Sequence, residues 1–333
     1  MRADIKSILL TGASGQLGRR LLPRLMATGY RVRAHYRSPE KAARYCPVGA
    51  EEVIGDLLYP DWLPRAVLDR EAVIHAAAKV SLRQGNFDEQ YKINVEGTKA
   101  VISACRNGGV KRLVFVSSIA SVGASEDGQP IDETAPFNLE KYDIPYIKTK
   151  HKAEKLALAA NGPSFEVISV NPSIMISPPD REITRNDLQK IPRFLPVYFN
   201  FGLNVVETDD VISGIIAALE RGRPGQRYLL TGENIDPARA FELSRRYFGL
   251  RKPFLKIPAL ALIPIAYLAA FAAKVRGKRP KLYPDMARLV RYKFFYSHDK
   301  ASRELGYNHK PLEETLENIM GKIKTKGGKV YGV

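Results

Sequence analysis

The 333-residue chain predicts a doubly wound parallel α/β sheet followed by a smaller, mostly helical lobe. Three observations predict it. Strand-like and helix-like segments alternate through the first half, as a parallel sheet with crossover helices requires. A glycine-rich turn joins the first strand to the first helix. The length is too great for one small core and suits a large α/β domain with an appended lobe. The expected division places the sheet in 1–175, with 204–232 returning to it, and the lobe in 176–203 and 233–333.

The first strand is Ser7–Leu10, and Leu17 to Met26 has the apolar spacing of a helix. Between them lies Thr11-Gly12-Ala13-Ser14-Gly15-Gln16-Leu17-Gly18. A helix N-terminus offers unpaired N–H groups and the positive end of a dipole, so a pyrophosphate can sit there if no side chain blocks it. Gly12, Gly15 and Gly18 give that clearance, in the spacing G-x-x-G-x-x-G rather than the commoner G-x-G-x-x-G.

The second strand, Arg31–His35, leads into Tyr36-Arg37-Ser38-Pro39-Glu40-Lys41. An NAD site carries an acid at this strand's end for the ribose 2′-hydroxyl. Here there is none, and the Arg37 guanidinium stands where a 2′-phosphate would lie. NADP(H) is the expected cofactor; the alternative is an ordinary exposed loop arginine.

Later strands are expected at Glu52–Ile54, Ala72–His75, Leu113–Val116 and Phe165–Val170. Asp56, at the end of the third, is placed to bind an adenine amino group or to cap the helix carrying Trp62 and Leu63. After His75 the small residues Ala76-Ala77-Ala78 leave room for a ligand at the sheet's crevice. A histidine closing a buried strand is read as structural. Asn94 either supports the site through a water or caps its helix.

The next strand delivers Ser117-Ser118, and the helix begun by Pro145-Tyr146 puts Tyr146 and Lys150 four apart, on one face. An ammonium beside a phenol favours the phenolate and brings it toward neutral pH. Ser118 can then hold a substrate oxygen while Tyr146 exchanges its proton. Tyr142 is a decoy, because its fourth follower is Tyr146 and not a lysine.

With these residues in order, the chain resembles the extended short-chain dehydrogenases/reductases, most similar to the dihydroflavonol reductase, 3β-hydroxysteroid dehydrogenase and hopanoid-associated sugar epimerase-like group. The resemblance runs through Asn94-Val95-Glu96-Gly97-Thr98 to Asn204–Val211 and Gly225–Asn234. It implies a Rossmann-type fold and Ser118, Tyr146 and Lys150 as the catalytic triad, with Lys150 also holding the nicotinamide ribose. The cofactor set it implies is Gly12, Ser14, Gly15, Gln16, Leu17, Gly18, Arg37, Lys41, Asp56, Leu57, Ala76, Ala77, Ala78, Asn94, Tyr146, Lys150, Pro172 and Ser173, with no metal. Sugar dehydratases of the superfamily carry an acid pair after the strand-end serine; Ile119-Ala120-Ser121-Val122-Gly123 has none. The usual aromatic-glycine-proline after the sixth strand is replaced by Ile176-Ser177-Pro178.

These signs predict an enzyme that interconverts a secondary alcohol and a ketone on a fairly apolar substrate. A nucleotide-sugar epimerase is the alternative, kept open by Arg185, Lys190 and Arg193. A non-catalytic NADP-binding protein is the second, disfavoured by the intact triad. Only Cys46 and Cys105 occur, and no signal peptide is expected, which points to the cytoplasm. The formal charge of +17 raises nucleic acid, but the basic residues are spread and no zinc or RNP-like pattern accompanies them. Within 254–281, the stretch from Ile257 to Ala273 is uncharged, interrupted by Pro258 and Pro264, and followed by Lys274, Arg276, Lys278, Arg279 and Lys281. It is too short and broken to span comfortably, and reads as a buried lid or a peripheral membrane contact. The resemblance implies a homodimer through 86–109 and 146–161, burying in part apolar residues such as Ile93, Val101, Leu156 and Leu158.

Overall fold

The computed structural model describes residues 5–81, 87–177, 197–199, 202–248, 255–257, 259–277, 280 and 283–321. The six expected strands form within one or two residues of their predicted ends: β1 (Ser7–Thr11), β2 (Arg31–Tyr36), β3 (Glu51–Ile54), β4 (Ala72–His75), β5 (Arg112–Val116) and β6 (Glu166–Pro172). Next come β7 (Ile174–Ile176), β8 (Val197–Phe199), β9 (Leu203–Glu207), β10 (Arg227–Leu230), β11 (Glu233–Ile235) and β12 (Leu255–Ile257). Among the described residues the main sheet has seven strands in the order β10-β6-β5-β4-β1-β2-β3. All its neighbours are parallel. Chain order reverses between β1 and β4, so a crevice opens at their carboxyl ends, where ligands of such sheets bind.

The helices are α1 (Gln16–Ala27), α2 (Pro39–Tyr45), α3 (Leu63–Val67), α4 (Phe87–Tyr91), α5 (Gly97–Asn107), α6 (Pro145–Ala159) and α7 (Thr208–Arg221). They are followed by α8 (Pro237–Phe248), α9 (Leu262–Val275), α10 (Pro284–Arg288), α11 (Asp299–Leu305) and α12 (Leu312–Gly321). Alternate strand residues face opposite sides, so each strand feeds two cores. Ile8, Leu10, Val114 and Ile168 pack with Leu21 and Leu25 of α1 and Ile215 of α7. Leu9, Leu113, Phe115 and Val167 pack with Val101 and Cys105 of α5 and Ala157 of α6. Val101 is fully buried there, which corrects its expected place at a dimer face: helical spacing marks an apolar stripe without saying what covers it.

β11, β9 and β7 make a small second sheet, and β12 pairs with β8. Ala301, Leu305 and Tyr307 join the main core, so the segment around α11 returns to the sheet after the lobe. A division into sheet and lobe is proposed for substrate binding, not for packing.

Candidate active site

The glycine turn is tight for stated reasons. Gly12 has φ of +78°, and a Cβ there would lie 2.8 Å from the Ala77 nitrogen. A Cβ on Gly18 would lie 2.2 Å from the Gly12 carbonyl oxygen, so α1 can approach β1 only with glycine at 18. Gly15 caps α1 without a side-chain bond. These are the features of a backbone cradle for an anion.

The turn forms one wall of a cavity of about 510 Å³. Gly12, Ser14, Gly15, Arg37, Lys41, Asp56, Leu57, Ala76, Ala77 and Ala78 line it, together with His35, Gly55, Lys79 and Val80, which the sequence did not single out, and Ile93, expected at a dimer face. Gln16 instead donates to Ser177 Oγ at 3.3 Å, Leu17 enters the core, and Gly18 packs behind the turn. Asp56 caps no helix: its Oδ1 accepts from the Leu58 N–H at 3.0 Å, closing its own turn. His35 stacks on Trp62 with ring centroids 4.1 Å apart and bonds the Gly55 carbonyl at 2.8 Å.

His75 is structural, as expected. Its Nδ1 lies 2.7 Å from Thr11 Oγ1 and its Nε2 3.1 Å from Thr98 Oγ1. Thr98 donates to the Asn94 carbonyl, which leaves Nε2 to donate and Nδ1 to accept. Burial pushes this imidazole down to about 3, so it stays neutral and ties β1, β4 and α5 together. Asn94 caps no helix. It sits in a π-helical turn, Lys92–Glu96, between α4 and α5, accepts from the Lys79 N–H at 2.7 Å, and donates to the Lys79 carbonyl and to Thr149 on α6. It joins the loop after β4 to the helix that carries Tyr146.

Ser118 follows β5, its Oγ accepting from the Ala120 N–H at 3.2 Å. Tyr146 opens α6 beside Pro145, and its phenol stands near the Ser118 hydroxyl at the wall of the same cavity. Burial holds this phenol above its ordinary range and the Ser118 hydroxyl pulls it down. Lys150 is buried, with Nζ 2.8 Å from the Val116 carbonyl and 4.5 Å from the Phe115 ring centre. Burial pushes Lys150 down to about 8, while Glu154 pulls it upward. The expected lowering of Tyr146 by Lys150 is thus absent here, because the ammonium is turned to a strand carbonyl. Pro172 ends β6, and the adjoining Ser173 Oγ is buried without a partner, at the same end of the sheet.

Beside Ser118 and Tyr146 lies a second cavity of about 510 Å³. Ile119, Ala120, Ile147, Ile174, Leu203, Leu262, Met286, Leu289, Val290, Tyr292 and Phe294 complete most of its wall. No charged side chain lines it among the described residues. Apart from Tyr292, its polar side chains are those of Ser118 and Tyr146.

A glycine cradle at a switch point, a basic rim and a Tyr-Lys-Ser set beside an apolar cavity define a dinucleotide-dependent α/β enzyme. The cradle that side chains would fill and the unpartnered Ser173 hydroxyl fit such a cofactor. Residues 8–230 match the NAD dependent epimerase/dehydratase family. The chain belongs to it, within the extended short-chain dehydrogenases/reductases, and is an NAD(P)-dependent oxidoreductase. It is 32% identical to a 4-hydroxy-2-methyl-3-oxo-4-farnesyl-3,4-dihydroquinoline-1-oxide ketoreductase of Stigmatella aurantiaca, over 90% of each chain. To a 3-beta-hydroxysteroid dehydrogenase of Mycolicibacterium neoaurum it is 28% identical, over 92% of this chain and 88% of that one. The crystal structure of gox2253 aligns with a TM-score of 0.79 at 31% identity, covering 96% of this chain and 100% of that one.

Proposed function

We propose that the protein interconverts a secondary alcohol and a ketone on an apolar, sterol-, flavonoid- or isoprenoid-like substrate, with NADP(H). The observation that carries this reading is the cavity wall: apolar throughout, with the hydroxyls of Ser118 and Tyr146 where a reacting oxygen can be held. Desolvating a nucleotide-sugar diphosphate against such a wall would be costly without cations to pair it. Arg185, Lys190 and Arg193, which the epimerase alternative invokes, lie outside the described residues. The two relatives named above act, by their names, on a farnesyl-bearing ketone and a hydroxysteroid, which supports the substrate class.

When bound, the nicotinamide supplies the hydride chemistry. Ser118 orients the substrate oxygen, Tyr146 passes it a proton or takes one, and Lys150 keeps positive charge near the phenol. The glycine turn and the alanines after β4 hold the pyrophosphate side, and Arg37 with Lys41 meets the 2′-phosphate. The test is turnover with a 3-oxosteroid, a dihydroflavonol, a 2-alkyl-3-oxoalkanoate and UDP-glucose, following NADPH for the ketones and product for the sugar. Turnover of UDP-glucose alone would replace this reading with the epimerase.

The same reading includes peripheral attachment to a membrane on its cytoplasmic face. No helix among the described residues is long and apolar enough to cross one. Yet α9 buries only Ala266, while Ile265, Leu268, Phe271 and Val275 are exposed and Lys274 and Arg276 follow. Leu262, at its start, lines the apolar cavity. A helix so placed can rest at the acyl boundary with its basic end among anionic headgroups. Failure to co-sediment with anionic liposomes at low salt removes it. A homodimer through α5 and α6 is proposed on family resemblance; with Val101 internal, its apolar share falls to Ile93, Leu156 and Leu158, each half-buried. Light scattering at tens of micromolar decides it, roughly the range where such interfaces hold.

A further inference from the structure

Glu154 stands one turn beyond Lys150 on the same face of α6 and has no exposed surface. Glutamate is almost never buried so completely unless it is paired and bonded. Here its Oε2 accepts from Ser117 Oγ at 2.9 Å and lies against Ser121 Oγ. Its Oε1 accepts from Ser169 Oγ at 3.0 Å and faces Arg227 Nε at 3.1 Å. Asn171 Nδ2 lies 3.1 and 3.0 Å from the two oxygens.

The same partners grip Ser118 from behind. Its carbonyl lies 3.1 Å from Asn171 Nδ2 and 2.6 Å from Ser121 Oγ, whose single proton serves one acceptor at a time. Neither Glu154 nor these partners line either cavity, so they do not act by touching a ligand. A buried ion pair seldom stabilises a fold more than an apolar pair of the same size. Its use must lie in what it holds.

We propose that Glu154 is a positioning residue: its carboxylate ties the Ser117–Ser121 turn, and so the Ser118 hydroxyl, to the helix bearing Tyr146 and Lys150, and gives the Lys150 ammonium its counter-charge. This rests on the reaction proposed above. Lys150 is faced by Glu154 from its own helix, by His75 from β4 and by the Phe115 ring from β5, and Arg227 pairs with Glu154. His75 is neutral, which leaves Glu154 as the anion of this group. Burial alone drives Lys150 downward, and Glu154 opposes it.

The test is Glu154→Gln in the full chain, read in kcat against pH on the ketone that turns over, and in NADPH affinity against pH by fluorescence, which needs no substrate. Without the carboxylate, the pH above which both decline moves down by about one unit. At pH 7 kcat falls on the order of 10- to 100-fold, as displacement of a reacting group does. Glu154→Asp restores the charge but not the reach, so its pH limb stays at the parent position while kcat remains low. Should Glu154→Gln unfold because Arg227 is left unpaired, Glu154→Gln/Arg227→Met removes both charges and is expected to shift the limb in the same direction. An unmoved limb in a folded variant overturns the proposal. Tyr146→Phe alongside separates the two ideas: full turnover there sinks the proposed reaction, whereas an inactive Tyr146→Phe with an unmoved Glu154→Gln limb sinks only the role of Glu154.

Discussion

The cofactor cleft and the apolar cavity are of equal size but share no lining residue, and they are built differently. The cleft is assembled in chain order from the ends of β1, β2, β3 and β4: each strand contributes the few residues that follow it. The cavity gathers Ser118, Tyr146, Ile174, Leu203, Leu262 and Tyr292 from segments far apart in the chain. A nucleotide site made from consecutive strand ends is fixed by the sheet itself. One made from lobe side chains can change its substrate without disturbing the sheet.

The largest effect is expected at the cavity wall. Tyr146→Phe removes the proton donor and should lower kcat by about 10²–10⁴ while NADPH affinity stays within a factor of about two. A matching loss of affinity would mean that the two regions are not separable at this residue.

Acid should damage the cleft side first. His75 has a folded pKa far below that of the unfolded chain, so its contribution is whole above about 6.5 and is lost progressively as pH falls toward 3. Between pH 7 and pH 5 this amounts to about 2 kcal/mol, visible as a lower urea midpoint. His75→Asn should flatten that dependence; an unchanged slope would refute it.

Arg37→Asp belongs to the cleft alone. It should cut NADPH affinity about 10-fold or more relative to NADH and leave the substrate KM unchanged. Equal affinity of the parent protein for both nucleotides would remove NADP(H) selectivity. The mildest change is at the lobe, where Leu268→Asp/Phe271→Asp should reduce liposome binding roughly 10-fold with kcat on a water-soluble ketone unaffected. Undiminished binding would assign lipid contact elsewhere.

What was legible follows the same division. Ile8-Leu9-Leu10 and Val73-Ile74-His75 announce buried parallel strands, because strands covered on both faces read as continuous apolar runs. Gly12, Gly15 and Gly18 announce the cradle because only a missing Cβ permits it. Glu154 had a readable signal, since it lies four residues after Lys150 on one helical face, but the serines and Asn171 that surround it come from two other segments. The cavity wall from Met286 to Phe294 had no local sign at all; its residues are ordinary apolar side chains until the lobe folds over Ser118. Tyr142, the decoy, packs edge-on to Tyr292 with their hydroxyls 3.3 Å apart.

The exposed ridge of Ile265, Leu268, Phe271 and Val275 also sets how the molecule behaves in plain buffer. Apolar surface of this kind finds a partner whenever lipid is withheld, and another copy of the same helix is the nearest one. Contact through α9 would then compete in solution with the proposed pairing through α5 and α6. A mild detergent dissolves the first and spares the second, so the particle mass that survives detergent is the one that reports on subunit organisation.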